Sequence, residues 1–530
     1  MSLRATLHSQ TVVNNSTMKK YLQLIQKERK IINVFRVLGL ILFFSFSIQA
    51  QTLSDEFNNI SVNNDMMGGS LVVFCENGII ENIALGKSDY SRDINSTPNT
   101  KYRIASISKT ITAIAVMQLV EQNLLDLDSD ISSILGYMVK NPNHPGTPIT
   151  TRMLLSHTST IIDGSTYSSF LNASVNNNPI PNLSQILTEG GTFYTTGQFN
   201  NTTPGTYFNY ANINYVILGT IIEKVSGMRF DTYCYQNISS PLGLDASFNV
   251  NDLIDINELA VLYRKVNGIW TPQADNYQGT QPIFNNVNGY VPGTNGGRFG
   301  PQGGFRCSSQ DLAKIFLMLM NKGNFNGVEL LTESSCNSMF ANEWTFNGNN
   351  GNNYYGLFRS WGLGIHRITS TPGNDIALPG SNTMLGHPGE AYGLVSDAYF
   401  DTIRKVGFVF MNNGVGIGYQ SNNYSIFYTI EQEVFAAIEN YGNVASCIES
   451  NGLNEDKEKS NILYPNPTDG LIHISVSNQN ILNVKVFDTK GYCVKESSES
   501  PINISEISLG TYLIQAETEN GSFSYKFIKE

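Results

Sequence analysis

Ser106 and Lys109 stand three residues apart in "IASISKTITAIAVMQLV" (104–120), and from Ile111 to Val120 the only polar residues are Thr112 and Gln118. A helix apolar on nearly all sides is a buried helix. A lysine at its mouth is either an ordinary first-turn lysine or one taken partly out of water, and desolvation lowers an ammonium pKa. Residues i and i+3 share a helix face, so Lys109 can reach the Ser106 hydroxyl and help take its proton. The helix N-terminus favours negative charge developing on that oxygen. The spacing alone is cheap, because Ser16-Thr17-Met18-Lys19 repeats it.

Two more groupings accompany it. Y-x-N occurs five times, at Tyr207, Tyr210, Tyr235, Tyr441 and Tyr464. Only Tyr210-Ala211-Asn212 ends a loop and opens an apolar-periodic segment, "INYVILGTIIEKVSG", which Gly227 stops. A tyrosine and an amide at such a turn can project together into a cleft. Alone, the motif reads as a turn asparagine with a packed tyrosine. His-Pro-Gly occurs at 144–146 in a loop and at 387–389 directly before the strand-like "EAYGLVSDAYFD". On a strand, Pro388 and Glu390 aim their backbone groups to the same side. If the Glu390 N–H faces a substrate, the missing N–H of Pro388 falls on that open side too and breaks no ladder bond. Gly389 lets another backbone approach closely.

The elements that must position these residues follow from patterning. "LVVFCENGIIENIAL" (71–85) is two β-rich runs around Asn77-Gly78, a hairpin signal. A helix is expected at about 105–122. Another is expected in "SSQDLAKIFLMLMNKG", with Ser309 as N-cap, and one at about 426–440. Strand character returns at "AYGLVSDAYFD" and "RKVGFVFMNNG". Strands at both ends of residues 60–440 can pair into one antiparallel sheet with helices on its faces and a helical lobe between, an α+β architecture with its cleft between sheet and lobe.

In this order and spacing, the three groupings resemble the serine β-lactamase and penicillin-binding protein superfamily, in its class C β-lactamase and D-alanyl-D-alanine carboxypeptidase-like branch. The resemblance covers roughly residues 60–440 and extends to "ITTRMLLSHTS", "SSPLGLDASF" and "PQGGFRCSSQDLAKIF". It implies that Ser106 is the acylated nucleophile, that Lys109 holds and helps deprotonate it, and that Tyr210 is the general base. It implies that Asn212 holds a substrate amide and that the N–H groups of Ser106 and Glu390 form an oxyanion hole, typically worth a few kcal/mol per donor. His387 stands where many members carry the lysine of K-T-G, and Pro388 offers no hydroxyl. Both departures argue against an efficient β-lactamase. His157 in "LLSHTS" is expected to pack or cap, and the mature histidines form no ligand cluster, so neither metal nor cofactor is expected.

The resulting reading is an exported serine hydrolase acting through an acyl-enzyme on small amides or esters, including cell-wall-derived ones, with a D-Ala-D-Ala-type peptide first. An esterase, a weak β-lactamase or a non-hydrolytic binder of cell-wall peptides are the alternatives.

Residues 1–50 carry seven Lys/Arg, one acid and the apolar run "VLGLILFFSFSIQA", the pattern of a cleaved signal peptide. Without them the net charge moves from −11 to −17, which disfavours nucleic acid and anionic membranes as partners. No further apolar run is long enough to span a bilayer. The six cysteines, at 75, 234, 307, 336, 447 and 493, show no metal spacing, and buried free thiols with one bridge at most are expected. Residues 51–447 are taken as the hydrolase domain and the polar stretch 448–462 as a linker. Residues 463–530 are taken as a small all-β sandwich. "YPNPTDG", "VKVFDTKG", "LGTYLIQA" and "KFIK" resemble the C-terminal sorting domain of type IX secretion cargo. That resemblance implies partnership with the type IX machinery and passage through the periplasm to the cell surface or medium.

Overall fold

The computed structural model describes residue 20, nearly all of 51–442, residues 444 and 447, and most of 462–529. The signal-peptide reading, and residues 448–461 of the expected linker, lie outside the described residues. Among those described, no helix is long and apolar enough to cross a membrane.

Five helices frame the site: α1 (Leu53–Asn63), α2 (Ser108–Glu121), α3 (Asn212–Ser226), α4 (Ser309–Met320) and α5 (Thr429–Tyr441). Local chemistry sets their ends. Thr52 and Asp55 form a capping box that starts α1. Gly227, at φ 72°, ends α3 in the left-handed conformation, as its position suggested. The cap of α4 is Ser308, not Ser309, because the Ser308 hydroxyl accepts the Asp311 N–H at 3.1 Å.

The main sheet has nine strands among the described residues. They are β1 (Gly68–Cys75), β2 (Gly78–Asp89), β3 (Ile94–Asn95), β4 (Trp344–Thr345), β5 (Ser360–Trp361), β6 (His366–Ile368), β7 (Met384–Ala391), β8 (Leu394–Asp401) and β9 (Val406–Asn412). Their spatial order is 4-5-6-7-8-9-1-2-3, antiparallel throughout. The first strand therefore pairs with the last, from Gly69↔Asn412 to Cys75↔Val406. The β1–β2 hairpin turns at Glu76-Asn77, one residue earlier than expected, and Gly78 is the first residue of β2.

Side chains alternate across the sheet. Val72, Phe74, Ala398, Phe400, Val409 and Met411 pack with α2, α3 and α4 in the larger core. Leu71, Val73, Val395, Tyr399, Phe408 and Phe410 pack with α1 and α5 in a second core on the opposite face. The result is the α+β sheet with a helical lobe that the patterning implied. The tail forms two small sheets, of three and four strands, over a core that includes Ile472, Val484, Val486, Ile514 and Phe527.

Cys75 and Cys447 form a disulfide with Cα atoms 5.4 Å apart, whereas Cys234, Cys307 and Cys336 are buried free thiols and Cys493 is exposed. Below β7 lies a second unusual contact. Neither oxygen of fully buried Asp397 on β8 meets an N–H or O–H donor, and the group beside them is the Glu431 carboxyl of α5. Glu431 accepts the Tyr428 N–H, but Asp397 has no donor of its own, so the two facing carboxyls must retain a proton between them. Burial raises both, Asp397 to about 8, with Glu431 pushed further by the Asp397 charge.

A carboxyl raised on folding stabilises most below its unfolded pKa, and that stability is lost as pH rises through the folded value. Thermal melts between about pH 4 and pH 8 should therefore show a Tm that falls more steeply in the native protein than in the Asp397→Asn/Glu431→Gln double variant, the remaining slope including buried Glu223, which is raised to about 7. Identical slopes in the two proteins would disprove the shared proton.

Candidate active site

The nucleophile candidate is carried by a short 3₁₀ turn, Ala105–Ile107, entered at Ala105 with φ 47° and continuing into α2. Ser106 thus precedes the α-helix, and Lys109 is its second residue. The turn is held from behind: Lys101–Arg103 pairs with Arg306–Ser308, and the Phe305 N–H donates to Ser108 Oγ at 3.0 Å. The apolar sequence of α2 is explained by its surroundings, because it is buried from Ser108 to Leu119.

Lys109 is fully buried. Its Nζ lies 3.0 Å from Ser106 Oγ, 2.9 Å from Asn212 Oδ1 and 2.8 Å from the Gln302 carbonyl oxygen. As an ammonium it donates to all three. As an amine it keeps two N–H donors for Asn212 and Gln302 and turns a lone pair to the Ser106 O–H. Desolvation pulls its pKa down to about 7, opposed in part by the Asp163 charge. Both protonation states are therefore populated near neutrality.

Tyr210 follows the short strand Phe208–Asn209, and extended Ala211 leads into α3. Asp163 holds this turn. Its Oδ2 accepts the Asn212 N–H at 3.0 Å and Asn212 Nδ2 at 2.9 Å, while its Oδ1 accepts the Ile213 N–H at 2.9 Å. It caps α3 from a distant loop and fixes which way the Asn212 amide faces. As placed, the Asn212 amide holds Lys109 on one side and Asp163 on the other, so a substrate contact would have to use its second N–H. His157 Nδ1 accepts the Ala211 N–H at 3.2 Å and its ring lies 4.4 Å from that of Tyr210, which is the packing and capping role expected of it. Tyr210 also stacks on Phe358 at 5.2 Å, and Lys109 Nζ is 4.8 Å from the ring centroid. The buried Tyr210 hydroxyl has no hydrogen-bond partner of ordinary geometry. Burial raises its pKa well above the usual value, and the nearby Ser106 hydroxyl works against that rise.

β7 forms the opposite wall. Pairing with β6 ends at Gly386, whereas pairing with β8 runs unbroken from Leu385 to Ala391. Residues 387–391 consequently have one open edge. Pro388 sits in this ladder without a donor, so its nitrogen is on the open side, and Glu390 two residues on shares that orientation. A Cβ on Gly389 would stand 2.6 Å from the Ile104 carbonyl oxygen and 2.4 Å from Ser396 Oγ. Only glycine lets the strand approach the serine turn this closely. His387 is buried, and its Nδ1 donates to the Pro388 carbonyl at 2.6 Å. A carbonyl only accepts, so Nδ1 carries the proton and Nε2 presents a lone pair, without a partner. Burial first, then the Lys109 charge, hold His387 well below its ordinary pKa, so it is neutral.

Ser106, Tyr210, Asn212, His387, Gly389 and Glu390 line one cavity of about 730 Å³, and Lys109 lies against its floor through Ser106 and Asn212. Asp163 and Gln302 complete the arrangement and were not singled out from sequence. An Asp-Gly pair in a loop signals only a turn, and Gln302 contributes its backbone carbonyl, which any residue supplies. Among the described residues no cluster of His, Cys, Asp and Glu is placed to hold a metal ion.

Comparison with known proteins agrees with this architecture. Residues 53–428 match the Beta-lactamase family, and residues 462–530 match the secretion system C-terminal sorting domain. Protein flp of Staphylococcus aureus (strain MRSA252) is 28% identical over 186 residues, a segment that is 35% of this chain and spans only 35% of that protein's length. A penicillin-binding protein homologue from Pyrococcus abyssi superposes with a TM-score of 0.54 at 19% identity, covering 90% of this chain and 96% of its own. The D-amino acid amidase from Ochrobactrum anthropi SV3 superposes at 0.52 and 18% identity, covering 76% and 99%. At such identities the two superpositions show a shared fold. With its family match covering more than half of its length, the chain belongs to the Beta-lactamase family and ends in a secretion system C-terminal sorting domain.

Proposed function

We propose that this chain is a serine hydrolase that works through an acyl-enzyme on small amides or esters, with a D-Ala-D-Ala-type peptide as the first substrate class to test. The observation that carries the reading is the buried Lys109 amine, 3.0 Å from Ser106 Oγ and with its pKa lowered to about 7. Neutral Lys109 accepts the Ser106 proton as Oγ attacks the substrate carbonyl carbon. The open-edge N–H of Glu390 and that of Ser106 receive the developing oxyanion. Tyr210, beside Ser106 and Lys109, passes the proton to the leaving nitrogen or oxygen as the C–N or C–O bond breaks. The same pair then deprotonates the water that hydrolyses the Ser106 ester. An esterase is the second reading, favoured by neutral His387, which gives β7 no fixed cation to anchor a substrate carboxylate. The same feature weighs against efficient β-lactam turnover.

Ser106→Ala should abolish both turnover and labelling by a fluorophosphonate probe, and labelling that survives would refute the assignment. Persistent labelling of the native protein without turnover of any ester, amide or peptide would instead identify a non-hydrolytic binder. If Lys109 is the proton acceptor, the acylation rate should rise with pH through a pKa near 7. Lys109→Ala should cost about 10²–10⁴-fold. A profile flat from pH 5.5 to 8.5 would point to another base.

Asp163→Ala should lower the acylation rate at least tenfold, because the Asn212 amide is then free to turn its N–H toward Lys109. Asp163→Asn should recover less than half of the loss, since its amide cannot accept with both ends. A variant with wild-type rates would make Asp163 a helix cap only.

The sorting domain indicates type IX export to the cell surface or medium. We take the tail to be dispensable for catalysis. Residues 51–447, which retain both disulfide cysteines, should keep full activity in vitro. Deleting only residues 463–530 in cells, with residues 1–50 kept, should leave the enzyme in the periplasm, and its normal appearance outside would show that the tail binds something instead.

A further inference from the structure

The cavity lining above Lys109 carries several polar atoms without partners. Four lining atoms are buried without a partner: His387 Nε2 and Gln302 Oε1, which accept as placed, and the Tyr167 and Tyr210 hydroxyls, which can accept or donate. Beyond them on β7 is the exposed Glu390 carboxylate, whose hydrogen bond comes from Tyr428 Oη at 2.7 Å. No lysine, arginine or histidine among the described residues forms an ion pair with Glu390. Arg264, on a neighbouring hairpin, is felt by Tyr419 but is not paired with this carboxylate. Behind Glu390 stand Glu431, also on the cavity wall, and Asp397.

Among the described residues the one cationic side chain on the cavity lining is Arg103, and it is engaged elsewhere. Its Nε donates to the Gly303 carbonyl at 3.1 Å, its guanidinium lies over the Tyr392 ring at 5.0 Å, and its charge helps hold Asp275 ionised. Aromatic rings flank the acidic end, with Tyr419 stacked on Tyr428 at 4.8 Å and Phe427 and Tyr354 on the lining. A wall of unpaired acceptors, one carboxylate without a counter-charge and several π faces is complementary to a cation with N–H donors.

We propose that Glu390 is a specificity-determining residue that binds a primary ammonium on the carbon next to the scissile carbonyl, so that the preferred substrates are aminoacyl amides, esters or peptides with a free amino terminus. The position follows from the chain. The residue whose N–H faces the substrate carbonyl oxygen also carries the carboxylate, which limits their separation to the reach of one glutamate side chain. The inference rests on the acyl-enzyme reading above.

The test measures protection of Ser106 in the purified protein from fluorophosphonate labelling by D-alaninamide and by isobutyramide, in which a methyl group replaces the ammonium. It is run at pH 6.5, below the α-amino pKa of about 8. D-Alaninamide should protect at the lower concentration. In Glu390→Gln the ratio of the two half-protecting concentrations should shrink by about fivefold or more, the scale of one partly exposed ion pair. Glu390→Lys should reverse the preference. No preference in the native protein, or one that survives both substitutions, overturns the proposal. Failure of the native protein to label at all refutes the acyl-enzyme reading instead.

Discussion

The site depends on burying one lysine. An ammonium taken out of water costs several kcal/mol unless it is paired, and among the described residues no carboxylate lies within hydrogen-bonding distance of Lys109. It supplies three neutral acceptors, Ser106 Oγ, Asn212 Oδ1 and the Gln302 carbonyl, with Asp163 one shell further out. This is enough to hold the group in place and too little to keep it fully charged. The apolar sequence of α2, the long-range cap on α3 and the 300–305 loop can each be understood as what that compromise requires.

The second constraint is a backbone approach. Ile104 and Gly389 come from segments nearly three hundred residues apart, yet no Cβ fits between them. The distance from the serine turn to the open edge of β7 is consequently set by the sheet and not by a mobile loop, as preorganised donors require. The two-residue turn after β7 continues this rigidity. Tyr392 and Gly393 both adopt positive φ, 58° and 97°, the combination that suits a tight hairpin, and Tyr392 is left facing the cavity.

Much of this was legible in the sequence, for reasons that differ by element. The closing pair β1–β9 and the faces of α4 and α5 follow from apolar periodicity. The Ser106, Tyr210 and His387 groupings stood out because each duplicate elsewhere lacked a suitable neighbouring element. Asp163 did not stand out, since it acts across 49 positions on a helix whose own sequence offers no capping side chain at Ala211. The protonation of His387 was equally hidden. Its neutrality comes from Trp361 at 5.3 Å, from Tyr210 and from Lys109 beneath, none of which is near it in the chain. The Asp397–Glu431 contact needs the strand register and the placement of α5 together, and neither residue has a distinctive sequence context.

The Cys75–Cys447 bridge alters how the domain bears load. Without it, any force transmitted through the C-terminal tail would reach the domain through α5 and unwind that helix first, pulling Tyr428 and Glu431 away from the cavity. With it, the covalent path from the tail reaches Cys447 and branches at once to Cys75, at the end of β1, a strand hydrogen-bonded on both sides. Shearing an interior strand breaks many ladder bonds together, whereas peeling a terminal helix breaks them one by one. A domain tethered by its tail to a moving surface would therefore keep its cavity wall intact under tension, with the sheet and not the last helix acting as the anchor.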